Sequence, residues 1–289
     1  GVIGQQLELA CFQRGIPKAA QSLSVDGLLD VAQAIMTTDT VRKTATRTAL
    51  IDGKPVKLLG MAKGAGMIMP NMATMLSFIL TDAKVEHDLL QSIVRKAAAK
   101  TFNAITVDGD TSTNDTVLVM ANGLAEHPPI AADRPEALAA FTAALEDLCK
   151  ELALMIIKDG EGATKLVTIR VQGAASEAQA DQAARTVANS NLVKTAFFGE
   201  DANWGRIIAA LGRSGAEFDQ HKVDIAFDDV LMVHNGLGQS AEVEARATAV
   251  LKKPEFVVTI DLHAGQGSKD IYTCDFSIDY VKINADYRS

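Results

Sequence analysis

The densest concentration of reactive and chain-bending residues is Lys63-Gly64-Ala65-Gly66-Met67-Ile68-Met69-Pro70-Asn71-Met72-Ala73-Thr74. Two glycines let the backbone come close to another group. Pro70 and Asn71 favour a turn, and the small Ala73 leaves the carbonyl before Thr74 open to attack. This suits a chain that makes its own N-terminal nucleophile. The Thr74 hydroxyl would attack the Ala73 carbonyl, an N-to-O acyl shift would give an ester, and hydrolysis would free a new α-amine. Such an amine titrates at about 7.7–8.0, so it can act as base for the hydroxyl of the same residue. β-Branching also restricts Thr74 to few χ1 rotamers. The same spacing fits Thr74 as the first residue of a strand after a Gly-rich turn, and residue types alone leave both readings open.

Four other clusters carry polar chemistry. Thr106-Val107-Asp108-Gly109-Asp110-Thr111-Ser112-Thr113-Asn114-Asp115-Thr116 packs hydroxyls and carboxylates into one loop. It lacks the glycine and the terminal glutamate of a helix-loop-helix calcium site, which leaves a solvated loop or the wall of a polar pocket. Lys158-Asp159-Gly160-Glu161-Gly162 puts a carboxylate between two glycines. Glu161 could hold a substrate ammonium, or Gly160 could cap a helix with Glu161 facing water. Asn203-Trp204-Gly205-Arg206 holds the only Trp, more often a core anchor than a ligand contact. Asn284 to Ser289 ends the sequence, where a frayed tail is the default.

The elements that must position these residues follow from periodicity. Leu28, Leu29, Ala32, Ile35 and Met36 have helical spacing after the capping residues Ser24 and Asp26, and deliver Thr37-Thr38-Asp39-Thr40. Thr44 to Leu50, the turn signal Asp52-Gly53 and Val56 to Met61 predict a hairpin. Met75 to Leu80 predicts a buried strand, Leu89 to Ala97 a helix, and Val117 to Met120 a strand. Pro135 opens the longest helix, with Leu138, Phe141, Leu145, Leu148, Leu152 and Met155 along one face. Strands are expected at Leu166–Val171, Leu192–Phe197, Val223–Phe227, Phe256–Leu262 and Ile271–Phe276, with helices ending near Ala188 and covering Ile207–Leu211 and Ala241–Leu251. The break after the long helix places a boundary near Gly160, giving a main α/β domain over 1–160 and a second over 161–289.

Bulk properties narrow the function. The 289 residues are 48% hydrophobic with a net charge of −8 and no Lys/Arg run, which argues against a nucleic-acid partner. No apolar stretch approaches the length of a membrane span. The scattered Cys11, Cys149 and Cys274, without a CxxC pair, fit a reducing cytoplasm, and the dispersed histidines give no metal-ligand spacing. Small molecules are the better partners. The sequence opens Gly1-Val2-Ile3-Gly4 without an initiator Met or signal-peptide pattern, and so reads as starting inside a longer protein.

In this order, KGAGMIMPNMAT, TFNAITVDGDTSTNDT, KDGEGATK, Asn203-Trp204-Gly205-Arg206 and Asn284 to Ser289 resemble the ornithine acetyltransferase family of arginine biosynthesis, also called the bifunctional glutamate N-acetyltransferases. The resemblance runs over essentially the whole chain. It implies self-cleavage between Ala73 and Thr74, Thr74 as nucleophile, and Thr37, Lys63, Thr74, Glu161, Asn284 and Ser289 as substrate-binding residues. The family's oxyanion hole is a Thr-Gly pair whose Gly matches Gly1; the Thr would precede this sequence. Further implications are a layered αββα fold with a smaller C-terminal α/β domain, and acetyl transfer from N-acetylornithine to glutamate without metal or organic cofactor. Acetyl-CoA is a further donor in bifunctional members. The α and β fragments would stay associated as a dimer of heterodimers. Two other readings use the same residues: an N-terminal-nucleophile aminopeptidase or amidase that hands the acyl group to water, and a non-catalytic amino-acid-binding protein.

Overall fold

The computed structural model describes residues 4–69 and 75–286. Helices α1 (Leu9–Gln21) and α2 (Leu28–Ala34) precede β1 (Lys43–Ile51), β2 (Lys54–Lys63), β3 (Leu76–Thr81), α3 (His87–Lys100), β4 (Ile105–Thr106), β5 (Thr116–Ala121) and α4 (Pro135–Lys158). Then follow β6 (Leu166–Ala174), α5 (Glu177–Ala188), α6 (Asn191–Phe198), α7 (Trp204–Gly212), β7 (Asp224–Phe227), β8 (Val230–His234) and β9 (Leu237–Gly238). The chain closes with α8 (Ala241–Leu251), β10 (Glu255–Asp261), β11 (Gly267–Cys274) and α9 (Ile278–Asp286). The architecture is α/β.

β1 and β2 pair from Lys43 opposite Ala62 to Ile51 opposite Lys54. Asp52 and Gly53 close the hairpin at φ 49° and 74°, the left-handed pair that a tight two-residue turn needs. β3 adds antiparallel to β2 and β5 adds parallel to β3, giving the order β1-β2-β3-β5. Alternate residues of β1 and β2 are buried, and α4 covers them. Pro135 stands in the first turn of α4, where a missing N–H costs nothing. Phe141, Leu145, Leu148, Leu152 and Ile156 then line its buried side. The approach is closest at Gly60, where a Cβ would lie 2.7 Å from Leu148 and 2.8 Å from Leu152.

The second sheet has seven strands in the order β4-β11-β6-β10-β7-β8-β9. Helix α4 also reaches β4, β6 and β11, so one helix ties both sheets together. Two apolar clusters result, one centred on α4 and the four-stranded sheet and one on the seven-stranded sheet with α5 to α8.

Three expectations change. Leu192–Phe197 lies in helix α6, not a strand: Val193, Lys194, Ala196 and Phe197 are its buried residues, and their spacing is helical. Of the segment from Asn284 onward, where a frayed tail was the default, residues 284–286 form the end of helix α9, and 287–289 lie outside the described residues. The N-cap of α2 is Gly27, with no side-chain cap from Ser24 or Asp26. No helix among the described residues is long and apolar enough to cross a membrane. Leu152→Ala should lower the unfolding free energy by about 2–5 kcal/mol, because it opens a cavity where α4 meets β2. Urea unfolding of the variant against the parent measures it.

Candidate active site

The site is built where β2 ends, β3 begins and β5 begins. Lys63 pairs with Leu76, and Leu76 with Thr116, so the three strand ends form one rung. Met75, just before that rung, donates its N–H to Asp115 and accepts from the Thr116 amide at 2.8 Å. Thr74 is the residue before Met75 in sequence. Thr74 itself, Ala73, Gly1 and Ser289 lie outside the described residues.

Beneath the rung is a buried ionic junction. Lys43, 1% exposed, places its Nζ 2.7 Å from Asp39 Oδ1 and 2.5 Å from Asp159 Oδ2. Asp39 also accepts from the Gly64 amide at 2.7 Å and the Thr37 amide at 3.1 Å. Burial opposes ionisation of Asp39, yet the Gly64 amide and Lys43 outweigh it and hold the carboxyl below its usual range. Asp159 accepts from the Thr40 amide at 3.0 Å and from the Thr40 hydroxyl. The segment after α2, the start of β1, the end of β2 and the end of α4 are thereby fixed together.

Two of the expected site residues meet directly above this junction: the Lys63 ammonium donates to Thr37 Oγ1 at 3.4 Å. The other two meet beside Ala65 and Gly66, where Asn284 Nδ2 donates to Glu161 Oε2 at 2.8 Å. Glu161 does not face water. It is 8% exposed, its amide donates to Ala65 O at 2.9 Å, and its carboxylate occupies the space that a Cβ on Gly66 would need. Thus Thr37 meets Lys63, Glu161 meets Ala65 and Gly66, and Asn284 joins them through Glu161.

The 106–116 loop is exposed at Asp110, Thr111, Thr113, Asn114 and Thr116, and it is tied to the 67–69 turn. Asp108 accepts from the amides of Met67 at 2.6 Å and Ile68 at 3.0 Å, and Val107 donates to Ile68 O at 2.6 Å. Met67 has φ 54°, a left-handed conformation uncommon for a side-chain-bearing residue, and its amide is the one that Asp108 holds. Thr111 donates to Met69 O at 3.1 Å. Burial pushes the Asp108 carboxyl up against the opposing amides, and the Tyr280 hydroxyl donates to Asp108 at 3.3 Å. Burial and Asp108 together push the Tyr280 phenol well up.

Sequence reasoning missed Lys43, Asp39, Asp108 and Asp115 as individual contributors. The available signal was a polar loop too rich in short acceptors to be filler. The Asn203–Arg206 segment is not brought to this site by any of these contacts: Asn203 accepts from the Arg206 amide and caps α7, and Trp204 packs against the core of the seven-stranded sheet. Among the described residues no group of three His, Cys, Asp or Glu is arranged to hold a metal ion.

The model of the ArgJ family matches residues 1–289. A protein named arginine biosynthesis bifunctional protein ArgJ in Desulfotalea psychrophila is 57% identical over the whole of this chain and 73% of its own length. Its namesake in Geobacter sulfurreducens is 53% identical, with the same coverage. Among solved structures, the crystal structure of arginine biosynthesis bifunctional protein argJ from Bacillus halodurans superposes with a TM-score of 0.71 at 46% identity, over 74% of this chain and 100% of that one.

Lys43→Met should cost about 3–5 kcal/mol at pH 7, because two buried carboxylates lose their common partner. The sign with pH follows from Asp39. Its depressed value in the parent contributes stability above the unfolded carboxylate range, lost only as pH falls through the lower folded value. Without Lys43 that contribution shrinks, because the Gly64 and Thr37 amides alone oppose burial, so the gap between variant and parent should narrow as pH falls below the ordinary carboxylate range of about 4. Urea titrations at pH 7 and at about pH 3, below that range, test it; an equal gap at both would contradict the assignment.

Proposed function

The chain belongs to the ArgJ family and is an acetyl-transferring enzyme of arginine biosynthesis, and we propose that it moves the acetyl group of N2-acetylornithine to glutamate through an acetyl-Thr74 ester. The observation that carries this reading is the convergence of Thr37, Lys63, Glu161 and Asn284 on the turn that leads toward Thr74.

In this mechanism the chain first cuts itself between Ala73 and Thr74. The new Thr74 α-amine takes the hydroxyl proton as Oγ1 attacks the acetyl carbonyl, then returns it to the departing ornithine nitrogen. Glutamate next attacks the ester, and N-acetylglutamate leaves. Lys63 and the Thr37 hydroxyl suit a substrate carboxylate, since an ammonium donates charge-assisted hydrogen bonds. Glu161 is the one buried carboxylate among these four residues and suits the ornithine side-chain ammonium. Asn284 orients Glu161 by donating to Oε2. Gly1, with a preceding Thr in longer chains, and Ser289 complete the proposed set as oxyanion donor and substrate contact. Acetyl-CoA as an alternative donor, and association of the two fragments into a dimer of heterodimers, belong to the same proposal.

The two apolar clusters fall mostly on either side of residue 160, with Ala104 crossing into one and Leu166 and Cys274 into the other. The αββα layering comes from the family resemblance and is part of the proposal.

Incubation with N-acetylornithine and glutamate separates the readings. N-acetylglutamate as product means transfer, free acetate alone means hydrolysis, and no turnover means a binding protein. Glu161→Gln removes a charge-assisted partner worth about 1.5–3 kcal/mol. It should therefore raise KM for N-acetylornithine by roughly 10- to 100-fold, with a smaller effect on KM for glutamate. An equal rise for both would contradict the assignment of Glu161 to the ornithine ammonium.

A further inference from the structure

Helix α9 is placed by polar contacts and not by a packed apolar face. Of its nine residues only Tyr280 is half-buried, and the rest are exposed, including Ile278, Val281 and Ile283. A surface helix is ordinarily fixed by burying an apolar stripe, so the direction of α9 depends on a few hydrogen bonds. Its first turn is held by Ser277, whose hydroxyl accepts from the Tyr280 amide at 3.3 Å as a cap and donates to Gly162 O at 2.6 Å. Gly162 leaves no room for a Cβ against the Tyr280 amide, so the helix lies directly on the turn that carries Glu161.

The remaining contacts come from two residues four positions apart, which share one face of a helix. The Tyr280 hydroxyl donates to Asp108 Oδ2 at 3.3 Å, and its ring meets Phe276 with centroids 4.5 Å apart. One turn further, the Asn284 side-chain amide donates to Glu161 Oε2 at 2.8 Å and to the Tyr280 carbonyl at 3.1 Å. Both partners of that amide are themselves fixed from outside α9: Glu161 by Ala65 and Gly66, and Tyr280 by Asp108. Asp108 in turn holds the amides of Met67 and Ile68. The contacts close a ring that runs from the 65–68 turn through Asp108, Tyr280, Asn284 and Glu161 back to the same turn.

We infer that Tyr280 is a positioning residue for the ammonium subsite: its hydroxyl fixes the rotation of α9 on Asp108 and so brings Asn284 onto the Glu161 carboxylate. A carboxylate has about four acceptor directions, and Asn284 fills one of them from the helix side. The others stay available to a cation, while the side chain is already held in one orientation and loses less freedom when the ligand arrives. Without the phenol hydroxyl α9 turns on its cap, Asn284 leaves Oε2, and the ligand itself must order Glu161. The loss falls on a ligand that presents an ammonium and spares one that does not.

This inference rests on Glu161 as the acceptor of the ornithine ammonium, and the experiment separates the two. Acetyl transfer to saturating glutamate is measured with N-acetylornithine and with N-acetylnorvaline, which has the same carbon chain without the side-chain amine. The readout is the ratio of the two kcat/KM values, because a general loosening of the fold lowers both and leaves the ratio unchanged. Tyr280→Phe should lower the preference for N-acetylornithine by about 2- to 10-fold, the net contribution of one hydrogen bond, chiefly through KM. Asn284→Ala should lower it as well. Adding Tyr280→Phe to Asn284→Ala should change the ratio by less than about 2-fold, since both act on one contact. An unchanged ratio in Tyr280→Phe, or additive effects in the double variant, overturns the role of Tyr280. If Glu161→Gln keeps the wild-type ratio, the ammonium assignment fails and this inference falls with it. Tyr280→Leu, which also lacks the hydroxyl, takes the place of Tyr280→Phe if the latter does not fold.

Discussion

The site depends on a lysine that cannot reach water. Lys43 is sealed between Asp39 and Asp159, which sit after α2 and at the end of α4. Removing a charge from water is expensive, and a buried ion pair is repaid only by close geometry and by satisfying the remaining acceptor sites. Here the remaining sites are filled by backbone: Gly64 and Thr37 donate to Asp39, and Thr40 and Val41 to Asp159. The ionic junction therefore specifies where four chain segments meet. Thr37 and Lys63 face one another because their neighbours are fixed to the same carboxylate.

The turn from Gly64 to Met69 lies between strand ends, and no β-ladder holds its amides. Short carboxylates from a distant loop take over that task. Asp108 holds Met67 and Ile68, and Asp115 holds Met75 beyond the turn. Tight packing adds a second constraint, since the Glu161 carboxylate lies where any side chain at position 66 would begin. A Gly-rich segment in free solution would sample many conformations at a large entropic advantage. Here the loop and the α4 terminus hold it by those contacts, and of the described residues expected to touch substrate Thr37 donates from beside it to Asp39, Lys63 opens it and Glu161 packs against it.

Much of this was legible from residue order, and the rest was not for identifiable reasons. The β1–β2 hairpin followed from alternation and Asp52-Gly53, and α4 from a three-and-four spacing long enough to exclude a strand. Thr37, Lys63, Glu161 and Asn284 were singled out by motif, and they converge. The Leu192–Phe197 run misled because it is short and carries β-branched and aromatic residues; the 193/196/197 spacing that marks its buried face is helical, and Lys194 is itself buried, donating to Thr273 at 2.9 Å. Strands β8 and β9 were missed because they are short and take their place from neighbours in the sheet. Asp39, Asp108 and Asp115 could not be distinguished from other loop carboxylates, because their partners are amides 25 to 41 positions away.

The left-handed turn at Met67 and the anchored amide of Met75 lie on either side of Ala73-Thr74 in sequence. The central claim is that Thr74 acquires its reactivity by becoming an N-terminus. Intact-mass analysis of the purified, active enzyme tests it most directly. The account predicts two fragments in equal amounts, one ending at Ala73 and the other beginning at Thr74. A single uncut chain that still forms N-acetylglutamate from N-acetylornithine would contradict it.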